Sequence, residues 1–328
     1  MGIERVKKLI KAVPDGYKQV RSHDENDHWL VQDVLFEDRD YDHATHVLIG
    51  CPQHEGVQRN KGRIGAAEAP NKIREQLYKL QVKKNSPVRL FDAGNIETDY
   101  YDTSDELDFM VEEPDEDALD RIHDTLTKVV SEFLRDGKKV IVLGGGNDIS
   151  YADIRALAET EHGISAINID AHLDMRIAEK MTSGTPYRKA IEGHYLVPHH
   201  LYEFGIRPES NGVFYLENAG EIGVNIHTLS ELFSNGVRST FQNILGQIGN
   251  RSFFLGLDMD SIQAADAPGV SASSPVGLSG REVLQCIHHA RKKENLKVFE
   301  ITEVNPNYDV DNRTVKLAAQ LVYKFLFG

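Results

Sequence analysis

Short, nearly continuous apolar runs recur along this chain, and each gives way to a loop and then to a helical pattern. His46-Val-Leu-Ile-Gly-Cys51 leads through a glycine-rich loop into a helix-like stretch from Pro70 to Leu80. Lys139-Val-Ile-Val-Leu143 follows residues 115–135, in which Leu119, Ile122, Leu126, Val129, Val130 and Phe133 fall at helical spacing. Further strands are expected at Ile164 to Ile169, His200 to Ile206, Gly223 to Ile226, Ser252 to Leu257 and Val298 to Ile301, and a last helix at Thr314 to Phe327. Runs that are apolar throughout, instead of alternating with polar residues, are how strands covered on both faces read. Strand–helix alternation over the whole length then predicts an α/β fold with a parallel sheet and helices on both sides. No repeat or linker divides the sequence, so residues 1–328 are read as one domain. The acidic stretch Glu97 to Asp117 is read as a solvated loop entering the next helix.

Composition narrows the partners. A formal charge of −14 argues against nucleic acid, which needs clustered Lys and Arg, yet leaves room for a small anionic substrate met by one or two local cations. The only cysteines, Cys51 and Cys286, make no disulfide framework and suit a reducing compartment. The basic, amphipathic start from Met1 to Tyr17 lacks the apolar core of a secretion signal, and no run is long and apolar enough to span a bilayer. The expectation is a cytoplasmic protein with no membrane partner.

Chemistry concentrates where two apolar runs meet carboxylates, in Asn168-Ile-Asp-Ala-His-Leu-Asp174 and Leu257-Asp-Met-Asp260. Open α/β sheets bind ligands just beyond the carboxyl ends of their strands. Residues two apart in an extended chain point the same way, so Asp170 converges with His172, and Asp258 with Asp260; Asp174 joins them if the chain stays extended. So many adjacent carboxylates repel one another, and a pair of divalent cations resolves the repulsion. Oxygen donors with an occasional imidazole suit Mn²⁺ better than thiolate-bound zinc, and two such ions generate a hydroxide at neutral pH and polarise an electrophile. Asp residues that merely cap helices account for one acid per loop, not for two Asp-x-(His/Asp) sets.

Along nearly its full length the chain resembles the ureohydrolases, the arginase, agmatinase and formiminoglutamase family. Asp170-Ala-His-Leu-Asp174 is similar to the family's Asp-Ala-His-x-Asp signature, and Asp258-Met-Asp260, continuing to Asp266-Ala-Pro-Gly269, to its second metal motif. Gly50 with Asn60-Lys-Gly-Arg-Ile-Gly-Ala66, Phe204-Gly-Ile-Arg207 and Glu303-Val-Asn-Pro306 add to the match. The resemblance implies a three-layer α/β/α fold around a central parallel sheet, two Mn²⁺ sites and a homo-oligomer, with trimers or hexamers suggested. It implies Asp170 and Asp258 as bridging carboxylates, His172 and Asp260 as ligands of the second metal, and Asp174 as a ligand of the first that also holds the attacking hydroxide. Glu303 resembles the acid that orients a cationic guanidinium or formimino group.

Two departures refine this. Where the family has Gly-Gly-x-His, this chain reads Gly144-Gly-Gly-Asn-Asp148, so Asn147 stands in place of the first metal's histidine and a weakly held or empty first site is expected. The glycine run itself is read as a close strand-to-helix turn instead of a phosphate cradle. The loop Thr182-Ser-Gly-Thr-Pro-Tyr187 has no histidine where arginases and agmatinases carry a proton shuttle; with Asp266-Ala-Pro-Gly269 and Ser273-Ser-Pro-Val-Gly-Leu278 it resembles formiminoglutamases. The implied reaction is hydrolysis of N-formimino-L-glutamate to glutamate and formamide, a step of histidine degradation. A substrate such as agmatine, arginine or a guanidino acid, or a non-catalytic relative with a binding or regulatory role, remains the alternative. Arg63 and Arg207 are candidates for a substrate carboxylate, against structural pairing, and Ser183, Thr185 and Tyr187 for the pocket wall. His194, His199 and His200 are read as structural or exposed, Cys286 as core, and Cys51 as lacking an activating partner.

Overall fold

The computed structural model describes residues 2–18, 24, 26–82, 86–98 and 118–328. The acidic stretch read above as a solvated loop falls, from residue 99 to 117, outside the described residues.

Among the described residues nine strands form one sheet: β1 (Ile10–Lys11), β2 (His46–Gly50), β3 (Leu90–Ile96), β4 (Lys139–Leu143), β5 (Ser165–Ile169), β6 (Leu201–Ile206), β7 (Asn225–Thr228), β8 (Phe253–Asp258) and β9 (Leu296–Thr302). Their order is β1-β3-β2-β4-β9-β8-β5-β6-β7, and every pairing is parallel except that of the two-residue edge strand β1 with β3. The expected strands therefore form, with ends displaced by one or two residues. β3 escapes the apolar-run criterion because Asp92 and Asn95 interrupt it; both are held by Arg74 from a neighbouring helix.

Every residue of β5, β6 and β8 is buried, as strands covered on both faces must be. One layer contains the helices Ala69–Leu77, Val237–Ile248, Gly280–Ala290 and Arg313–Phe327, whose Ile73, Phe241, Ile287 and Val322 pack against Leu48, Ile141, Leu255 and Phe299 of the sheet. The other contains Ala118–Arg135, Ser150–Thr160 and Pro186–Glu192, with Leu126, Ile154 and Ala190 against Val47, Val140 and Phe254. This is the three-layer α/β/α arrangement. Helix Gly280–Ala290 starts where it does because Ser279 and Glu282 form a reciprocal cap, the Ser279 hydroxyl accepting from the Glu282 amide (3.2 Å) and the Glu282 carboxylate from the Ser279 amide (2.8 Å).

The register sets the working edge. Leu143, Ile301, Leu257 and Ile169 stand side by side across β4, β9, β8 and β5, so the residues that follow emerge level with one another. The chain crosses from β4 directly to β5, and β8 and β9 later return to fill the gap between them. That reversal opens the crevice in which open α/β sheets place their ligands.

Candidate metal centre and substrate cavity

Four loops leave this edge and bring the carboxylates together. Asp170, His172 and Asp174 follow β5; Asp258 ends β8 and Asp260 follows it; Glu303 follows β9 and Asn147 follows β4. Asp170, His172 and Asp260 form one set whose ligand atoms all lie within 4.8 Å of one another, and Asp170, Asp174 and Asp258 form a second. Ligands of a divalent ion at roughly 2.0–2.6 Å stand at most about 5 Å apart, so each set is the size of one coordination sphere. Asp170 belongs to both sets, and Asp258, expected to bridge as well, groups with the second.

These acids are poorly reconciled with one another. Burial pushes the carboxyls of Asp170, Asp174 and Asp258 up, and the charge of Asp170 adds to the rise at Asp174 while Asp260, then Asp170, add to it at Asp258. The Asp260 carboxylate, 3.2 Å from Nδ1 of His172, drives that imidazole up to about 12. Oδ1 of Asp260 is buried without a hydrogen-bond partner among the described residues. An unpartnered oxygen among mutually repelling carboxylates, with a single imidazole, is a donor set that fits hard divalent cations such as Mn²⁺.

Backbone geometry is spent on this arrangement. Among the described residues six non-glycine positions have positive φ, and three of them, Lys61 (61°), Asp174 (47°) and Glu303 (62°), line one cavity of about 600 Å³ above the carboxylates. Strained conformations of this kind persist where the surroundings over-determine them, as at ligand sites. Burial pushes the Glu303 carboxyl up, although its Oε1 accepts the Asn147 amide N–H at 3.0 Å.

The turn Gly144–Asn147 is a close passage and no phosphate cradle, because its amides are already used. Gly144 donates to Ile301 O (2.7 Å), Gly145 to Cys51 O (3.0 Å) and Gly146 to Gln53 O (3.2 Å). A Cβ on Gly145 would lie 1.6 Å from Gln53 O, so only glycine passes there. The Asn147 side chain presents Nδ2 to Asp174 Oδ2 (2.6 Å) and Asp170 Oδ2 (3.4 Å), while Oδ1 accepts from Thr302 (2.8 Å) and Ser150 (3.2 Å). Its neighbour Asp148 is clamped by Gln53 and His123, each at 2.9 Å.

The substrate-side expectations divide. Ser183 lines the cavity and accepts from Asn60 Nδ2 at 3.1 Å. Arg63 lines it too, but its Nε and one terminal nitrogen are engaged by the carbonyls of Ser271 (2.9 Å) and Val270 (2.7 Å), and its plane stacks on Tyr308. Arg207, Thr185 and Tyr187 lie off the cavity wall. Arg207 runs beneath the loop after β8 and donates to Val276 O at 2.8 Å. Thr185 is buried and closes its own turn by accepting from the Thr182 amide (2.9 Å). Tyr187 is fully buried with its hydroxyl 3.4 Å from Ser150, because the helix beginning at Pro186 turns its ring into the core. Two exposed cations on the wall were not singled out from sequence, Lys61 and Arg176. Arg176 continues the series 170, 172, 174, so the reasoning that joined those residues also reaches it. His199 and His200 sit at the far, amino-terminal end of β6.

Comparison with known proteins agrees with this geometry. The family model described as "Arginase family" matches residues 44–328. A formimidoylglutamase of Paraburkholderia xenovorans is 32% identical over 307 residues, 87% of this chain and 88% of that one, and a formimidoylglutamase of Staphylococcus carnosus is 30% identical over 283 residues, 85% of each. Among solved structures, Trypanosoma cruzi formiminoglutamase with Mn²⁺ superimposes with a TM-score of 0.81 at 28% identity, covering 92% of this chain and 98% of that one. Formimidoylglutamase from Bacillus subtilis gives 0.80 at 27% identity, covering 95% and 96%. The fold, the carboxylate–histidine centre and these matches together make the chain a member of the arginase family of hydrolases.

Proposed function

We propose that the chain hydrolyses N-formimino-L-glutamate to L-glutamate and formamide, using Mn²⁺ held by the two carboxylate sets. The observation that carries the reading is the charge layout of the cavity: acids at its floor, and Lys61, Arg63 and Arg176 on its wall. A substrate with a cationic formimino group at one end and two carboxylates at the other matches that polarity. Agmatine, which has no carboxylate, would set its free ammonium among the three cations. Similarity to formimidoylglutamases over 85% or more of the chain supports the same substrate.

Asp170, His172 and Asp260 would hold one ion, and Asp170, Asp174 and Asp258 the other. Bound there, such ions supply a nucleophile from water at neutral pH and draw charge from the C–N carbon. Glu303 faces the same space and orients the formimino cation by charge, and Asp174 accepts the proton of the attacking water. Ser183 offers a hydroxyl to the substrate, and Arg176, exposed and without a bonded partner among the described residues, takes a carboxylate in its fork. In its present orientation Asn147 turns Nδ2, which has no lone pair to give, toward the ligands, so the first ion is the weaker one. Two buried, unpaired cysteines suit a reducing, cytoplasmic setting, where histidine breakdown supplies the substrate.

The test is release of glutamate by the Mn²⁺-loaded protein from formiminoglutamate, set beside agmatine and arginine. Formiminoglutamate is expected to be turned over with the highest kcat/KM, and Arg176→Leu to raise its KM by roughly 10- to 100-fold, the value of one or two charge-assisted hydrogen bonds. Preference for agmatine, or no hydrolysis by protein that has bound Mn²⁺, refutes the reading.

A further inference from the structure

On the face of the molecule away from the sheet, a groove of about 380 Å³ is lined by Arg238, Arg281, His288, His289, Lys292 and Lys324. Arg238 comes from the first turn of helix Val237–Ile248, and Arg281 and both histidines from Gly280–Ala290. Lys292 follows that helix, and Lys324 belongs to Arg313–Phe327. Among the described residues no acidic side chain lines the groove, although the chain carries a net −14. Among the described residues no carboxylate pairs with Arg238, Arg281, Lys292 or Lys324. The gathered cations cost free energy, and the histidines register it. Desolvation, then Lys292 and Lys324, hold the His288 imidazole below its ordinary value, and desolvation, then Arg238 and Lys292, do the same for His289. Nδ1 of His288 is shielded from water with no hydrogen-bond partner among the described residues.

Like charges converging on a concave surface from three helices form a receptor for opposite charge. We propose that this groove is a second binding site, separate from the carboxylate cavity, for a compact polyanion carrying phosphate groups. Arg281 and Arg238 present forks suited to phosphate oxygens, and Lys292 and Lys324 add point charges. Among the described residues the lining adds to the six basic groups only Leu284 and Gln285, with no phenyl, phenol or indole ring on which a nucleobase could stack. Recognition therefore rests on the phosphates, whether they come from a sugar phosphate or from a nucleotide. The site does not depend on the substrate proposed above.

The decisive measurement is calorimetric titration of the full chain with inorganic pyrophosphate at low ionic strength, followed in parallel through the ring signals of His288 and His289 by NMR. One saturable site per chain is expected, with both histidines shifted toward the protonated form as the anion offsets their neighbours. ADP should bind no more tightly than pyrophosphate. The double charge reversal Arg281→Glu with Lys292→Glu should weaken pyrophosphate at least tenfold. It touches neither metal ligand nor cavity, so unchanged hydrolysis serves as the folding control. Absence of saturable binding at millimolar pyrophosphate, or binding indifferent to the double reversal, overturns the proposal. So does ADP binding tenfold more tightly than pyrophosphate, or binding confined to a poly-glutamate peptide, which would make the groove a protein-docking surface.

Discussion

Two groups of buried charge lie on the same sheet and are built on opposite plans. Beside β3, the guanidinium of Arg74, fully buried, donates to both oxygens of Asp92 (2.8 and 3.0 Å), to Asn95 Oδ1 (2.7 Å) and to Gly94 O (2.6 Å). The Tyr78 hydroxyl and the Gly94 amide (2.8 Å) complete the shell around Asp92. Charge cancels charge and the polar atoms are matched. At the ends of β5, β8 and β9, four carboxylates in two loops plus Glu303 face one histidine, and an oxygen of Asp260 is left bare among the described residues. A third cluster lies between these extremes. Asp153 and Glu300 influence each other behind the site, and burial pushes both carboxyls up, Asp153 to about 7, so the pair is made tolerable by a proton. Internal closure marks charge that supports the fold, and lack of closure marks charge that awaits a ligand.

Removing a partner from the closed group should have the largest effect. Arg74→Met leaves Asp92 buried without its counter-charge, and the expected loss is about 3–5 kcal/mol in denaturant unfolding. Adding Asp92→Leu should return much of that loss, since a buried pair replaced by apolar residues is often neutral. If the single variant unfolds like wild type, the pair is not what secures β3 and the comparison fails at its first term.

The open group should respond with the opposite sign. In metal-free protein, Asp258→Asn removes one of the repelling carboxylates and is expected to raise the unfolding midpoint. In wild type, Mn²⁺ at a hundred times its dissociation constant should add about 2.7 kcal/mol of stability by mass action, measured as a shift in Tm, and a chelator should remove it. Asp258→Asn should lose most of this gain. A variant destabilised without metal would mean that these acids support the fold as Arg74 and Asp92 do.

The same contrast explains what the sequence made legible. The sheet could be read because β2, β4 and β8 are apolar except at one end and β5 except at Ser165 and Asn168, and β3 could not because its Asp92 and Asn95 answer to Arg74, eighteen and twenty-one residues earlier. The metal-facing residues could be read because they cluster just past two strand ends, although neither run stays extended there: Asp174 has a φ of 47° and Asp260 lies in the 3-10 turn Met259–Ser261. Asp148, His123, Glu203 and Glu300 went unread, although an acid inside an apolar strand, as in Tyr202-Glu-Phe204 and Phe299-Glu-Ile301, is itself a signal of buried chemistry. Arg207 and Tyr187 sit inside recognisable motifs, yet their direction depends on what packs over them: the loop carrying Val276 in one case and the core around Ser150 in the other.

The smallest change sharpens the comparison within the open group itself. Its two metal sets share Asp170 but differ in their neutral member, an imidazole in one and the Asn147 amide beside the other. Nδ2 of Asn147 donates to Asp174 and Asp170, so in this arrangement the amide soothes the carboxylates as a weak cation would and would lend a bound ion no electrons. A histidine at this position would supply a lone pair in place of a proton. Asn147→His is therefore expected to tighten a Mn²⁺ held by Asp170, Asp174 and Asp258 about tenfold, roughly 1.4 kcal/mol, read as metal retained per chain after desalting and by direct titration. The tighter ion should leave at the same rate as before, because none of its own ligands has changed. Equal retention in wild type and variant would show that Asn147 already serves the first ion through its oxygen, with Nδ2 turned instead toward the hydroxyls of Thr302 and Ser150.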